Sequence, residues 1–224
     1  MQLRLLLFCW LCIGFISQTL GQEDIPENLF LKKNFVFYNI TSMIDPNGAS
    51  LQFGYNYQVT SWIDLQMELG FVSDNLIPTD LPFDEYAGFR IRPQIKLLSK
   101  TSIAQTGRWY GGILLSYQQL NFKENNNFEV EGSFNQNITY RGQDQTFAWY
   151  LVGGIDTRSS RRIVVSFSIG IGKVYLKTDV TEGDIPENAN ILGDCVVFCG
   201  RDTFQSNYFT RTGFLIDLKI GYQF

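Results

Sequence analysis

The chain has no histidine. Imidazole is the side chain best suited to take and give protons near neutral pH, so Ser–His acyl-transfer chemistry is excluded. Basic residues are also in short supply: 18 Lys and Arg stand against 22 Asp and Glu. A nucleic-acid partner is therefore not expected, because phosphate binding needs clustered cations. Cysteine is scarce, and two of the four, Cys9 and Cys12, lie in the first apolar run. Beyond Gly21 there is no apolar run near the ~20 residues a helical membrane span requires. Helical periodicity is almost absent as well. If such a chain is integral to a membrane, it must cross as a closed barrel, since lipid tolerates no unpaired backbone.

The N-terminus has one positive charge at Arg4, a short apolar core through Ile16, and small residues near Gly21. This is the pattern of a secretory signal peptide over residues 1–21, with the mature domain spanning 22–224. Cys9 and Cys12 leave with it. Cys195 and Cys199 remain, and in an exported chain a Cys-x-x-x-Cys pair favours a small disulfide loop over free thiols. Two thiols without histidine or a second pair make a poor zinc site.

What the chain does have is alternation. In Ile63-Asp-Leu-Gln-Met-Glu-Leu-Gly-Phe71 the odd positions are apolar and the even ones are polar or Gly. Ala87 to Leu97 repeats the pattern, with Pro93 among the apolar set and Arg90, Arg92 and Lys96 opposite. Ile163 to Gly172 repeats it again. This period of two predicts strands near 33–42, 49–59, 62–72, 86–98, 107–121, 141–156, 161–176 and 208–224. Short polar connections (60–61, 99–106, 157–160) alternate with longer ones (73–85, 122–140, 177–207), and only the turn around Asp45-Pro-Asn-Gly48 is compact among the latter. Short turns on one side and long loops on the other fit an all-β, eight-stranded antiparallel up-and-down transmembrane β-barrel. Both termini then fall on the periplasmic side of an outer membrane.

Alternation does not say which face is inside, and a secreted lipocalin-like carrier has the opposite arrangement. Three features favour the membrane. The polar face carries Asp64 and Glu68 on one strand, Arg90, Arg92 and Lys96 on the next, and Asp217 and Lys219 on the last, so charges can pair across a lumen. The apolar face has Trp62, Trp109, Tyr117, Trp149, Tyr208, Tyr222 and Phe224 toward strand ends, as in interfacial girdles. The segment Gly213-Phe-Leu-Ile-Asp-Leu-Lys-Ile-Gly-Tyr-Gln-Phe224 is apolar or aromatic at every even position.

That segment resembles the C-terminal strand signature of bacterial outer-membrane proteins. The resemblance implies that Tyr222 and Phe224 form an assembly signal read by the barrel-assembly machinery. Lys33 to Ser42, Ser50 to Tyr57, Leu65 to Phe71 and Gly88-Phe-Arg-Ile-Arg-Pro-Gln-Ile95 together resemble an uncharacterised family of small outer-membrane barrels of Bacteroidetes bacteria. This resemblance covers most of the mature chain. It implies fold and location but no activity.

Each chemical candidate also has a plain explanation. Asp64 and Glu68 could do acid–base work, but they read more simply as partners of Arg90 and Arg92, and no catalytic residue is expected. Lumen charges can gate a narrow pore. Eight strands, however, enclose a space just wide enough for side chains to fill, which favours a plugged interior. The acidic stretch 178–202 has no calcium-loop spacing and reads as a solvated loop. Asp24-Ile-Pro-Glu-Asn28 recurs as 184–188 without any register for a repeat. Asn39-Ile-Thr41 and Asn137-Ile-Thr139 match a glycosylation pattern that carries no meaning in a bacterial barrel. Pro93 lies mid-strand, removes a ladder donor and suggests a bulge or local irregularity there.

The expected function is non-enzymatic: a structural or interaction barrel working through its outer loops or as an accessory subunit of a membrane complex. The alternative is a narrow channel or conduit for small or apolar solutes. Expected partners are outer-membrane lipid, lipopolysaccharide and the assembly machinery, with no cofactor and no metal.

Overall fold

The computed structural model describes residues 34–44, 50–73, 85–103, 107–130, 134–158, 162–183, 190–191 and 208–224. Residues 1–21, expected to be a signal peptide, the segment 45–48, and Cys195 and Cys199 lie outside the described residues, as does most of the acidic stretch.

Eight strands close on themselves. They are β1 (Phe35–Asn39), β2 (Ser50–Gln58), β3 (Ile63–Ser73), β4 (Glu85–Ile103), β5 (Gly107–Val130), β6 (Phe134–Arg158), β7 (Ile163–Glu182) and β9 (Tyr208–Gln223). A two-residue strand, β8 (Asn190–Ile191), pairs with Phe128 and Glu129 outside the closed ring. Each barrel strand pairs antiparallel with its neighbour, and β1 closes the ring on β9 through Phe35↔Gln223 to Asn39↔Lys219. Closure leaves no sheet edge along the ring, which is the condition for a strand structure in lipid. No helix among the described residues is long and apolar enough to cross a membrane.

The direction of the faces settles the class. Phe214 and Ile216 on the outside are 79% and 63% exposed, whereas Lys96 and Lys219 inside are 0% and 1% exposed. A lipocalin would have these reversed. Apolar side chains ring the outside: Phe53, Leu69, Ile95, Ile113, Leu151, Ile169 and Ile216 all face outward. On β9 the outward apolar positions run from Phe214 to Tyr222, with Phe224 beyond. The eleven residues from Phe214 to Phe224, at ~3.3 Å rise and a tilt near 45°, give roughly 25 Å, the height of the apolar band of a membrane barrel. The protein is a transmembrane β-barrel.

Aromatic contacts mark both ends of that band. Phe224 stacks on Tyr55 at 6.4 Å, near the end where Trp62 and Trp109 are exposed. Toward the other end Phe89 meets Tyr117 at 6.1 Å and Phe147 meets Tyr175 at 6.2 Å.

The structure bears on two further sequence expectations, and departs from the first. The Asn- and Glu-rich stretch 122–140 is largely strand, because β5 continues to Val130 and β6 begins at Phe134. Its period of two persists: Phe122, Glu124, Ile138 and Tyr140 are buried on the inner side, while Asn121, Asn125, Thr139 and Arg141 are exposed. Outside the lipid the outer face meets water, so the sequence looks like a loop while the backbone remains a hairpin. Phe122 and Tyr140 pack edge-to-face at 6.2 Å, and Tyr140 Oη donates to Glu124 Oε2 at 2.5 Å. At Pro93, of the bulge or local irregularity expected, the structure has the irregularity. No register shift occurs there, although the β4–β5 pairs skip Arg92 and Pro93, as a missing donor would require. The bulge lies further on, between Leu98 and Ser102.

Candidate functional site

The distinctive chemistry of the chain is inside the barrel. Even positions of β2, β3 and β4 and odd positions of β1 and β9 face the lumen, so the polar residues of these strands share one wall. The wall formed by β5, β6 and β7 is more apolar, with Tyr110, Leu114, Ala148, Val152 and Val174 buried.

The central cluster joins four charges. Arg92 Nη2 donates to Asp217 Oδ2 at 2.5 Å, and Nη1 reaches Asp217 Oδ1 at 3.2 Å and Glu68 Oε2 at 3.3 Å. Lys219 Nζ donates to Glu68 Oε1 at 2.5 Å and lies 3.6 Å from Asp217 Oδ2. Three amides complete the set. Asn39 Nδ2 donates to Glu68 Oε2 at 3.2 Å and Asp217 Oδ1 at 3.0 Å, Gln66 Nε2 donates to Glu68 Oε1 at 2.7 Å, and Gln52 Oε1 accepts from Arg92 Nη1 at 3.0 Å. Every charged side chain here is at most 4% exposed. Two anions face two cations with hydrogen bonds filling the gaps, the arrangement in which buried charge is tolerable. Arg92 on β4 and Asp217 on β9 are separated by three strands in the ring, so their bond crosses the lumen. Phe37 packs beside the cluster, with Lys219 Nζ 5.4 Å from its ring centre. Its ring lies over Gly54, where an added Cβ would sit 2.1 Å from Phe37 Cζ.

A second cluster lies toward the end with the short turns. Lys96 Nζ donates to both oxygens of Asp156 at 3.1 Å and sits 4.2 Å over the Tyr110 ring. Tyr110 Oη is 3.3 Å from Ser166 Oγ. Asp64 Oδ2 accepts from Asn56 Nδ2 at 3.0 Å. Below it a cavity of about 50 Å³ is lined by Gln58, Asp64, Arg108, Asp156 and Arg158, with Phe35, Leu98 and Val164.

The strand register sorts the sequence-derived pairings. Glu68 stands opposite Arg92, and the two bond. Asp64 stands opposite Lys96, but the Lys96 ammonium turns across the lumen to Asp156. Arg90 stands opposite Gly70 and bonds Gln118 Oε1 through Nε at 2.7 Å and through Nη2. Asn39, Gln52, Gln66 and Asp156 were not among the sequence-derived site residues. Parity alone could have placed Gln52 and Gln66 inside, whereas Asp156 is found only once β4 and β6 face each other. The groups expected to form the assembly signal lie on the outer face of the ring closure, where Arg162 Nη1 donates to Tyr222 Oη at 2.8 Å. No group of three or more His, Cys, Asp or Glu that could hold a metal occurs among the described residues.

No protein-family model matches the chain, and no curated protein matches it. The chain is similar to the crystal structure of Acinetobacter baumannii CarO2, at 13% identity and a TM-score of 0.38, over 86% of this chain and 97% of that one. It is also similar to the crystal structure of Acinetobacter baumannii CarO, at 14% identity and a TM-score of 0.37, over 86% and 96% of the two chains. A likeness of this degree carries no conclusion about function, and the fold assignment rests on the strand pairing itself.

Proposed function

We propose that this chain is a non-enzymatic, non-conducting barrel of a Gram-negative outer membrane, with both termini periplasmic, that engages partners through the strands extending beyond its far rim. The observation that carries this reading is the buried Glu68–Arg92–Asp217–Lys219 cluster, whose ion pairs reach across the lumen from β4 to β9. Its charges are held by one another, leaving little to favour a conducting pore or acid–base catalysis. Beyond the Glu85↔Lys123 pair, β5 and β6 continue together to Val130 and Phe134, well past the start of β4. A closed lumen with an extended hairpin suits a display scaffold, alone or as an accessory subunit. Membership of the Bacteroidetes family that the sequence resembles belongs to the same proposal, as does recognition of Tyr222 and Phe224 by the assembly machinery.

Cysteine labelling tests the orientation that this reading requires. In a chain carrying Cys195→Ser and Cys199→Ser, Asn125→Cys is expected to react with a membrane-impermeant maleimide in intact cells, and Thr60→Cys only after the outer membrane is ruptured. The reverse pattern would overturn the reading. Native size after mild-detergent extraction then separates a self-contained barrel from a subunit of an assembly.

A further inference from the structure

Lys173 stands apart from the other cations on the outer face. It points outward from β7 between Ile171 and Tyr175, with Trp149 opposite on β6 and Thr212 opposite on β9. Tyr175 packs against Phe147 at 6.2 Å, in the aromatic contact that marks the far end of the apolar band. Lys173 therefore lies one outward position inside that pair, on its lipid side. Further out, each cation of this wall has a carboxylate: Lys177 reaches Asp179 at 2.5 Å, Arg141 reaches Glu182 at 3.0 Å and Lys123 reaches Glu85 at 3.2 Å. Lys173 Nζ has the Thr212 hydroxyl at 3.5 Å, and no carboxylate within ion-pair distance among the described residues.

A cation on the lipid face is costly unless it reaches the head groups and an anion there. The long apolar stem of a lysine lets it do so, lying along its neighbours while the ammonium rises. The anion at that level is a phosphate. Above Lys173 the wall is suited to sugar. Gln145 Nε2 donates to Gln143 Oε1 at 2.9 Å, and Gln143 Nε2 donates to Asn121 Oδ1 at 3.0 Å, a ladder of three amides on the outer face of β6 and β5. Those bonds fix which way the amides point, so Gln145 Oε1 is left to accept and Asn121 Nδ2 to donate. The ladder begins four residues along β6 from Trp149, about 13 Å at ~3.3 Å per residue, with the Phe147 and Tyr175 rings in between.

We propose that the outer face of β6 and β7 around Lys173 binds a phosphorylated glycolipid of the outer leaflet, with a phosphate on Lys173 and Thr212 and sugar hydroxyls on the amides of Gln143 and Gln145. A glycerophospholipid would supply the phosphate but nothing for the amide ladder. The site rests on the orientation proposed above, which turns this end of the barrel toward the outer leaflet.

Native mass spectrometry of the folded barrel in detergent, with lipid A as the probe, tests the site without depending on orientation. The unaltered chain is expected to take up phosphorylated lipid A about tenfold more tightly than the same lipid stripped of phosphate, the worth of one charge-assisted hydrogen bond. It should also prefer lipid A to phosphatidylglycerol. Lys173→Gln should lose the preference for phosphate, and Gln143→Ala, which breaks the ladder, should weaken both forms of lipid A by a few-fold. Lys123→Gln should bind as the parent does, since its register partner Arg141 lies eight residues along β6 from Trp149, about 26 Å at ~3.3 Å per residue. In vesicles of phosphatidylcholine alone, Lys173→Gln should resist urea at least as well as the parent, because it removes an uncompensated charge from the lipid face. Equal uptake of phosphorylated and stripped lipid A, equal uptake of phosphatidylglycerol, a phosphate preference retained in Lys173→Gln, or a loss of stability in that variant in phosphatidylcholine would each overturn the proposal. The maleimide labelling separates the two readings: the expected pattern without a phosphate preference would overturn the site alone, and the reverse pattern would overturn the orientation and the outer-leaflet partner with it.

Discussion

Replacing Arg92 with Met is expected to lower the unfolding free energy of the barrel by about 3–5 kcal/mol, the cost typical of breaking a buried ion pair from one side. Arg92 bridges Asp217 at 2.5 Å and Glu68 at 3.3 Å, and its planar fork also reaches Gln52 at 3.0 Å. Without it, Lys219 alone faces two carboxylates that are almost wholly withdrawn from water. Arg92→Lys should fall between the parent and Arg92→Met, since an ammonium cannot hold both carboxylates with the same geometry. The double replacement Arg92→Met with Asp217→Leu should recover much of the loss, because removing a pair together leaves no charge stranded. Urea unfolding in lipid vesicles, followed by tryptophan fluorescence and by heat-modifiable gel mobility, reads all three. A loss below about 1 kcal/mol for Arg92→Met, the range of exposed ion pairs, would mean that the lumen is hydrated and the cluster is not what closes it.

The second large effect is expected on the outer face. Ile169 stands near the middle of the apolar stretch of β7 and is 57% exposed. Ile169→Arg should cost about 2–4 kcal/mol in a bilayer, the figure for a cation at mid-depth on a lipid-facing strand. The same change at Gln145, where β6 has left the apolar band, should cost within about 0.5 kcal/mol, as for ordinary surface positions. The contrast between the two positions is the signature of lipid. Were the exposed apolar face bathed in water, Ile169→Arg would also be nearly neutral. Refolding yield into vesicles and unfolding by urea both report the difference.

How much of this was legible beforehand depended on distance across the barrel. The strand 62–72 expected from alternation is β3 at Ile63–Ser73, because lipid outside and charge inside impose the period of two directly. The pair Glu68–Arg92 was within reach, since neighbouring antiparallel strands place complementary charges opposite each other. Arg92–Asp217 and Lys96–Asp156 were not, because they span the lumen between strands that do not touch, and their partners depend on barrel diameter and tilt. Asn39 was hidden differently: its glycosylation-like triplet carried no meaning and its neutral amide gave no charge signal, while its side chain is a fully buried donor to two carboxylates. The hairpin 122–140 was mistaken for loop because the outward apolar signal stops where the lipid stops, although the inward residues Phe122, Ile138 and Tyr140 kept the alternation. The register partner of Arg90 on β3 is Gly70, which has no side chain to offer, so its bond to Gln118 on β5 could be read only from the register.

The central claim is that a charge cluster closes a membrane-spanning barrel, and planar-bilayer recording of the purified, refolded protein tests it most directly. The closed lumen predicts a silent bilayer for the unaltered chain across the usual range of voltages, with fluctuating current only when Arg92→Ala or Glu68→Ala opens the cluster. Discrete, ohmic conductance steps from the unaltered chain, changed in size or selectivity by Glu68→Ala, would show that the same residues line a pore.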